Sequence, residues 1–546
     1  MNIKNIFSIS FIFAALFFLG CSDDLAVENP NTPTPSSLNS ESGIISFATG
    51  GVYLTGFKDV KYTDGVYGPF TSGALGFHEL MGDVIGADAA NAFINQMGCP
   101  NKVTYDDGTV VNNPNAPNTQ YALIRSANTN QAGGNNFLYY EWAYMYNLLG
   151  ACNLILDKVA TVELSGDAAS KKAAVEAWAY WWRGYAYSRL GSIYYAGLIV
   201  EKPFETNGNY VSKEKLIEEA NANFDKAIAA ANSANASEFT ATWAKIIPSF
   251  YQLDKGNAMS PDELKRNVSS MKARNLLVNK TTATMTASDW QNVLTLANSG
   301  ITSADNVFTV RSDVNSLIFS TGQLVMGRTY SNAAGGATYK LSERWVQEFK
   351  AGDKRLDNNI TSTGAPYTGQ ADRGNAHFTR HALIANGKGM EGVQVFAKSS
   401  PGDYEMYIAV NFEENELMRA EALINTGKIE DGLKIIDDIR SSSGAGLSAS
   451  AGQGLTLAQA KEELRSERRI QCAFRGISFY DARRWGVIDF IANGGGRKGA
   501  YLLNNKAELS TNGTIEYGYL DYWDVPDNEL AYNPAAAGSA PIKNPK

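Results

Sequence analysis

The stretch "EAWAYWWRGYAYSRLGSIYY" places eight aromatic residues between Trp178 and Tyr195, and that density restricts what the chain can fold into. Gly184 lies three residues before Tyr187 and Gly191 four residues after it, so on a helix both small positions share a face with that ring. A small residue lets a second helix approach closely, while a large ring fills the groove beside it. At this spacing the rings read as a helix–helix core rather than as a platform for a sugar or cofactor.

A second helical unit is "ELMRAEALINTGKIEDGLKIIDDIRSSSG". Its first helix ends at Gly427, and its second places Ile429, Leu433, Ile436 and Ile439 on one face. "LIEEANANFDKAIAAAN" and "ASDWQNVLTLANSGI" have the same helical character. The spacing of Gly184, Tyr187 and Gly191 resembles the first helix of a tetratricopeptide (TPR) unit. Gly427, Ile429, Gly432 and Ile436 fall where a TPR hairpin has its turn glycine, bulky residue, small residue and second bulky residue. Long insertions separate these units, which argues against a regular solenoid. The expected fold is mainly α: an interrupted TPR-like helical-repeat scaffold, with helices around 137–300 and 411–485, decorated with long loops and a few short strands. From Gly43 to about Asn136 the chain is rich in Gly, Asn and aromatics, and reads as loop-heavy with one or two helices.

The chain start carries an address. Lys4 precedes an apolar run from Ile6 to Leu19, followed by Gly20, Cys21 and the acidic pair Asp23–Asp24. The run is shorter than the roughly 20 residues of a spanning helix. A small residue before a lone cysteine resembles the lipobox of bacterial lipoproteins, with Phe18 in place of the usual aliphatic residue. Residues 1–20 are therefore expected to be a lipoprotein signal peptide and Cys21 the lipidated residue, whose several acyl chains would make attachment stable. The serine and two aspartates after Cys21 resemble the signal that sends lipoproteins of Bacteroidota-type bacteria to the cell exterior. The proline-rich segment 21–40 reads as a flexible tether reaching up to about 50 Å, and 41–546 as a single domain.

Composition narrows the chemistry. The 48 Lys+Arg against 56 Asp+Glu give a net charge of −8, which disfavours nucleic acid as a partner. Cys99, Cys152 and Cys472 are an odd number, so no disulfide framework is implied, and Cys152 and Cys472 read as buried small hydrophobes. His377 and His381 stand four apart in "HFTRH", but the Glu of H-E-x-x-H is missing. "GKGMEG" at 387–392 matches G-x-G-x-x-G by chance, since a strand-like segment follows it where a helix is required. No metal or cofactor is implied. Asp106–Asp107 could hold calcium but reads first as a surface turn.

The most charged stretch is "SERRIQCAFRGISFYDARRW", residues 466–485, with five arginines. Helical phase runs from Leu457 through Leu464 to Ile470 and Phe474, Gly476 breaks it, and Asp481 begins another turn. Arginine forks suit the tying of a helix end to its neighbours, so this stretch reads as a structural ion-pair network rather than a phosphate site.

The same stretch resembles the C-terminal signature of the SusD/RagB family through Glu467, Arg468, Arg469, Ala473, Phe474, Gly476, Asp481, Arg483, Arg484 and Trp485. Gln471, Cys472, Arg475 and Ser478 depart from it, mostly losing acidic partners. "AGDKRLD" is similar to the family's D-x-R element through Asp353 and Arg355. The ending "YWDVPDNELAYNPAAAGSAPIKNP" is similar to its P-x-x-E-x-x-x-N-P element through Pro526, Glu529, Asn533 and Pro534. The resemblance implies an outer-membrane, cell-surface lipoprotein without enzymatic activity. It binds oligosaccharide or polysaccharide, in some members peptide as in RagB, and serves as lid for a SusC-like TonB-dependent transporter. The expected ligand residues are loop aromatics and polar groups outside the TPR-like helices: Asp64, Tyr67, Phe93, Tyr105, Tyr330, Arg373 and Tyr404. The rival readings are a surface glycosidase and a structural TPR adaptor.

Overall fold

The computed structural model describes residues 38–54, 59–61, 67–69, 75–87, 96–114, 119–249, 251–311, 339–369, 374–384, 392–393 and 405–546. Cys21, the segment 1–20 and nearly all of the 21–40 tether lie outside the described residues, as does most of "GKGMEG". The described chain is mainly helical.

Three short helices come first: α1 (Glu41–Phe47), α2 (Leu75–Met81) and α3 (Gln120–Ala127). The long helices follow as α4 (Leu138–Val159), α5 (Ala168–Ile193), α6 (Lys213–Ser233), α7 (Ala236–Ile246), α8 (Pro261–Val278) and α9 (Ala287–Asn298). Local sequence sets several starts. Ser260 and Glu263 form a reciprocal capping box at α8, with Pro261 in the first turn, and Thr286 and Asp289 do the same at α9. After α10 (Glu343–Val346) and α11 (Lys354–Asn359) come α12 (Phe412–Asn425), α13 (Ile429–Ser442), α14 (Leu457–Gln471), α15 (Ser478–Arg484) and α16 (Asp527–Tyr532).

The helices pack as a relay. α5 lies against α4 on one side and α6 on the other, α8 joins α6 to α9, and α9 meets α12, which also packs on α13 and α14. The glycines of α5 act as the spacing predicts, with α6 as the partner. A Cβ at Gly184 would stand 2.6 Å from the Phe224 ring, and one at Gly191 would stand 2.9 Å from Ile217. The crowded rings are core: Trp178, Trp181 and Trp182 are fully buried and surround Phe308, with the Trp181 and Phe308 centroids 4.2 Å apart. In the α12–α13 hairpin, Gly427 takes φ +86° and the Lys428 amide donates to the Leu423 carbonyl at 2.9 Å, stopping α12.

Strands are short. The largest sheet orders 497–503, 509–516, 102–104 and 110–112, joining the early loop segment to the C-terminal region. Residues 379–383 are also a strand, so His377 and His381 do not share a helical face. Early in the chain the described residues hold three short α-helices, a π-helical turn (Ala48–Leu54) continuing α1 and a short 3-10 helix (Asn130–Asn135), where the composition suggested one or two helices.

Replacing Gly184 by leucine overpacks the α5–α6 seam. The expected loss is about 1–3 kcal/mol of stability, read as a lower denaturation midpoint by circular dichroism.

Candidate functional site

Residues 466–485 form the junction of α14 and α15, and their charges are spent inside the scaffold. Glu467 is fully buried and accepts from Arg355 at 2.6 and 3.1 Å and from Arg440 at 2.8 Å. Arg355 also grips Asp353, so the D-x-R element and the arginine-rich stretch meet in one cluster. Asp481 accepts from Arg468 and Arg484, each at 2.8 Å, and Arg484 forks onto Glu421 of α12 at 2.6 and 2.8 Å. Arg483 donates to carbonyls in the last turns of α5 and α8, at Ser192 and Val278. Burial alone would raise the Glu467 and Asp481 carboxyls, but the guanidinium groups around them hold both below the ordinary carboxylate range. Glu348 is held down at about 2 by Arg497, Arg469 and Arg465 against the upward pull of burial.

The departures from the family signature are absorbed. Gln471 donates to Ser443 and to Glu467, and Ser478 donates to Glu79 at 2.8 Å. Cys472 is buried and its thiol is pushed up to about 12 by that burial. Cys152 is raised to about 12 in the same way, and Cys99 is also buried.

Sequence reading passed over His78 and Glu79, whose only visible signal is a charged pair inside the apolar run of α2. Glu79 accepts the amides of Phe474 and Gly476 and the Ser478 hydroxyl, which fixes the turn where Phe474 and Gly476 take φ +60° and +69°. Burial outweighs these three donors and raises its carboxyl to about 7. His78 lies 3.2 Å from Glu141 and 3.0 Å from Arg189. Burial, helped by the Arg189 charge, lowers the imidazole to about 4.

The third motif holds the chain end. Glu529 accepts from Trp142 Nε1 at 2.8 Å and from Asn533 at 2.5 Å, and the Asn533 carbonyl accepts from Tyr210 at 2.8 Å.

Of the expected ligand residues, Asp64, Phe93, Tyr330, Arg373 and Tyr404 lie outside the described residues, as does the side chain of Tyr67. The described strands fix where their segments begin and end. Ala87 pairs with Tyr339, so segment 88–95, holding Phe93, and segment 312–338, holding Tyr330, attach side by side. Arg311 pairs with Glu405, which brings the other end of 312–338 beside the end of 385–404, whose last residue is Tyr404. Strand 379–383 contacts 339–341 and pairs with 360–367, and the connection between those two contains Arg373. Tyr67 lies in a hairpin against α4, and Asp64 is in the connection of that hairpin. Tyr105 is a correction: it is 6% exposed, donates its hydroxyl to the Leu503 carbonyl at 3.0 Å and accepts from Asn375 at 3.1 Å, so its ring is built into the sheet and not offered to a ligand. Asp106 accepts the amides of Thr511 and Asn512, and Asp107 accepts that of Thr109, which makes this pair the turn that the sequence suggested first.

Two outcomes follow from these environments. Glu467→Gln leaves Arg355 and Arg440 with an uncharged partner in the interior, and should cost about 3–5 kcal/mol in denaturant unfolding. The chain has only three histidines, so His78 can be followed by NMR. Its folded value lies below the ordinary 6.5, so its contribution to stability is present above about 6.5 and is lost as pH falls toward 4. The His78 ring should still give neutral-form shifts at pH 5.5, and a midpoint near 6.5 would contradict its burial between Glu141 and Arg189.

Comparison with known proteins places these motifs. The SusD family model matches residues 414–536, which span α12 to the end of α16. No curated protein matches. Among solved structures, a putative sugar-binding protein of Bacteroides vulgatus aligns with TM-score 0.56 at 16% identity, covering 92% of this chain and 100% of its own. A SusD-like carbohydrate-binding protein of Bacteroides fragilis aligns with TM-score 0.54 at 16% identity, covering 92% and 99%. A SusD superfamily protein of B. vulgatus aligns with TM-score 0.53 at 13% identity, covering 82% and 89%. The SusD family's sequence pattern is thus matched over residues 414–536, around the α14–α15 junction, and the chain has the same fold as SusD-superfamily structures over most of its length.

Proposed function

We propose that this SusD-like protein is a lipid-anchored, cell-surface nutrient-binding protein. It captures oligosaccharide or polysaccharide and acts as lid for a SusC-like TonB-dependent transporter in the outer membrane. The observation that carries the reading is the pairing of the loop stems: Ala87 with Tyr339 and Arg311 with Glu405 tether the segments holding Phe93, Tyr330 and Tyr404 at neighbouring strand ends. Rings from these segments would stack on the C–H faces of sugars, with Arg373 and Asp64 hydrogen-bonding hydroxyls. The family's arginines and carboxylates are paired with one another inside the scaffold, which supports a binding protein whose recognition lies in its loops. Two similar structures are described as a sugar-binding and a carbohydrate-binding protein, which supports glycan over peptide. The apolar run ending in Gly20–Cys21 supports the anchor.

Affinity electrophoresis over a panel of polysaccharides tests the ligand class. Retardation by at least one neutral polysaccharide is expected, weakened about tenfold or more when Tyr330 and Tyr404 are both replaced by alanine. Binding only to peptides, or release of product from a labelled polymer by the purified protein, would contradict it. Cys21→Ala should move the protein from the membrane fraction to the soluble one.

A further inference from the structure

A groove of about 490 Å³ opens between α1, α4, the turn at 198–207 and α16, and none of the loop-stem residues lines it. Ala151 and Leu154 of α4 contribute apolar surface, and Asn147, Lys202 and Glu529 contribute polar groups. Its size falls in the range of small-ligand sites, which run from about 300 to 1,000 Å³.

Phe204 also lines this groove and is 82% exposed, the most exposed large hydrophobic side chain among the described residues. Its backbone takes φ +58°, a conformation that costs a non-glycine residue energy. The turn is held there by the Glu205 carboxylate, which accepts the amides of Glu201 and Lys202 at 2.9 and 3.1 Å. The second most exposed ring, Tyr532 at 78%, sits on α16, the helix that supplies Glu529. Every other aromatic ring whose burial is described is buried or half-buried, so two exposed rings on the elements framing one groove are out of keeping with the rest of the structure.

The polar groups are of mixed kind. Trp142 and Asn533 orient the Glu529 carboxylate while leaving it lone pairs to accept further hydrogen bonds. Asn147 is exposed and makes no side-chain hydrogen bond among the described residues, so both its donor and its acceptor are open. Lys202 adds a donor. A pyranose offers a flat C–H face to a ring and a rim of hydroxyls that both donate and accept, which this set matches.

We infer that this groove is a saccharide subsite separate from the loop segments, taking a neutral mono- or disaccharide with one sugar face on Phe204 and its hydroxyls on Asn147, Lys202 and Glu529. The inference rests on the glycan-binding reading but concerns other residues, since none of the groove's lining belongs to those segments.

Calorimetric titration of the full mature chain with maltose, cellobiose and lactose tests it, alongside Phe204→Ala, Asn147→Ala and the Tyr330→Ala/Tyr404→Ala double variant. The subsite requires that at least one disaccharide bind, that Phe204→Ala and Asn147→Ala each weaken it about tenfold, and that the double loop variant leave it unchanged. Phe204→Ala should not shift the melting temperature, since the ring is solvent-exposed. Binding unaffected by both groove variants and lost in the loop variant overturns the subsite and leaves the glycan reading standing. Absence of disaccharide binding also overturns it, and polysaccharide retardation then decides the glycan reading separately.

Discussion

The buried carboxylate of Glu467 organises the C-terminal half of the molecule. It meets Arg355 of α11 and Arg440 of α13, and Arg355 in turn holds Asp353, so elements more than a hundred residues apart are fixed on one side chain. Seven residues later in sequence, just past the end of the same helix, comes the Phe474–Gly476 bend, which Glu79 of α2 clamps. Such pairs gain little net stability over well-packed apolar residues, because desolvating the ions is costly. Their effect is on arrangement: the pairs tie helices from distant parts of the sequence to one another.

That arrangement explains why a stretch so rich in charge and rings carries no site of its own. Arg468, Arg483 and Arg484 are all buried: Arg468 Nε donates to Asp481, Arg484 to Asp481 and Glu421, and Arg483 to helix-end carbonyls. The stretch lies within the part of the chain that matches the SusD family model, and its likeness to that family rests on the scaffold it holds together. On the proposed function, recognition falls to the segments that the scaffold anchors.

Much of the scaffold was legible in the sequence because its signals are local. The Gly184 and Gly191 spacing and the Gly427 stop each depend on neighbours within a few residues, and each appears in the structure. The arginine stretch read correctly as scaffold because helical phase and export argued against phosphate. Signals that need distant partners were not legible. Nothing near Tyr105 announces the Leu503 carbonyl that holds its hydroxyl, nothing near Glu79 announces the α14–α15 bend, and "EKPFETNGN" does not reveal that Phe204 borders a groove. Residues chosen as ligand contacts on loop position and residue type alone share that limit, since a ring in a loop can be core, as Tyr105 is.

The separation of scaffold from recognition is tested most directly by hydrogen–deuterium exchange of the protein with and without a polysaccharide that retards it in affinity electrophoresis. Protection should rise in segments 88–95, 312–338 and 385–404, while amides of 466–485, already buried in the ion-pair junction, should not change. Ligand-induced protection within 466–485, with none in those three segments, would contradict it.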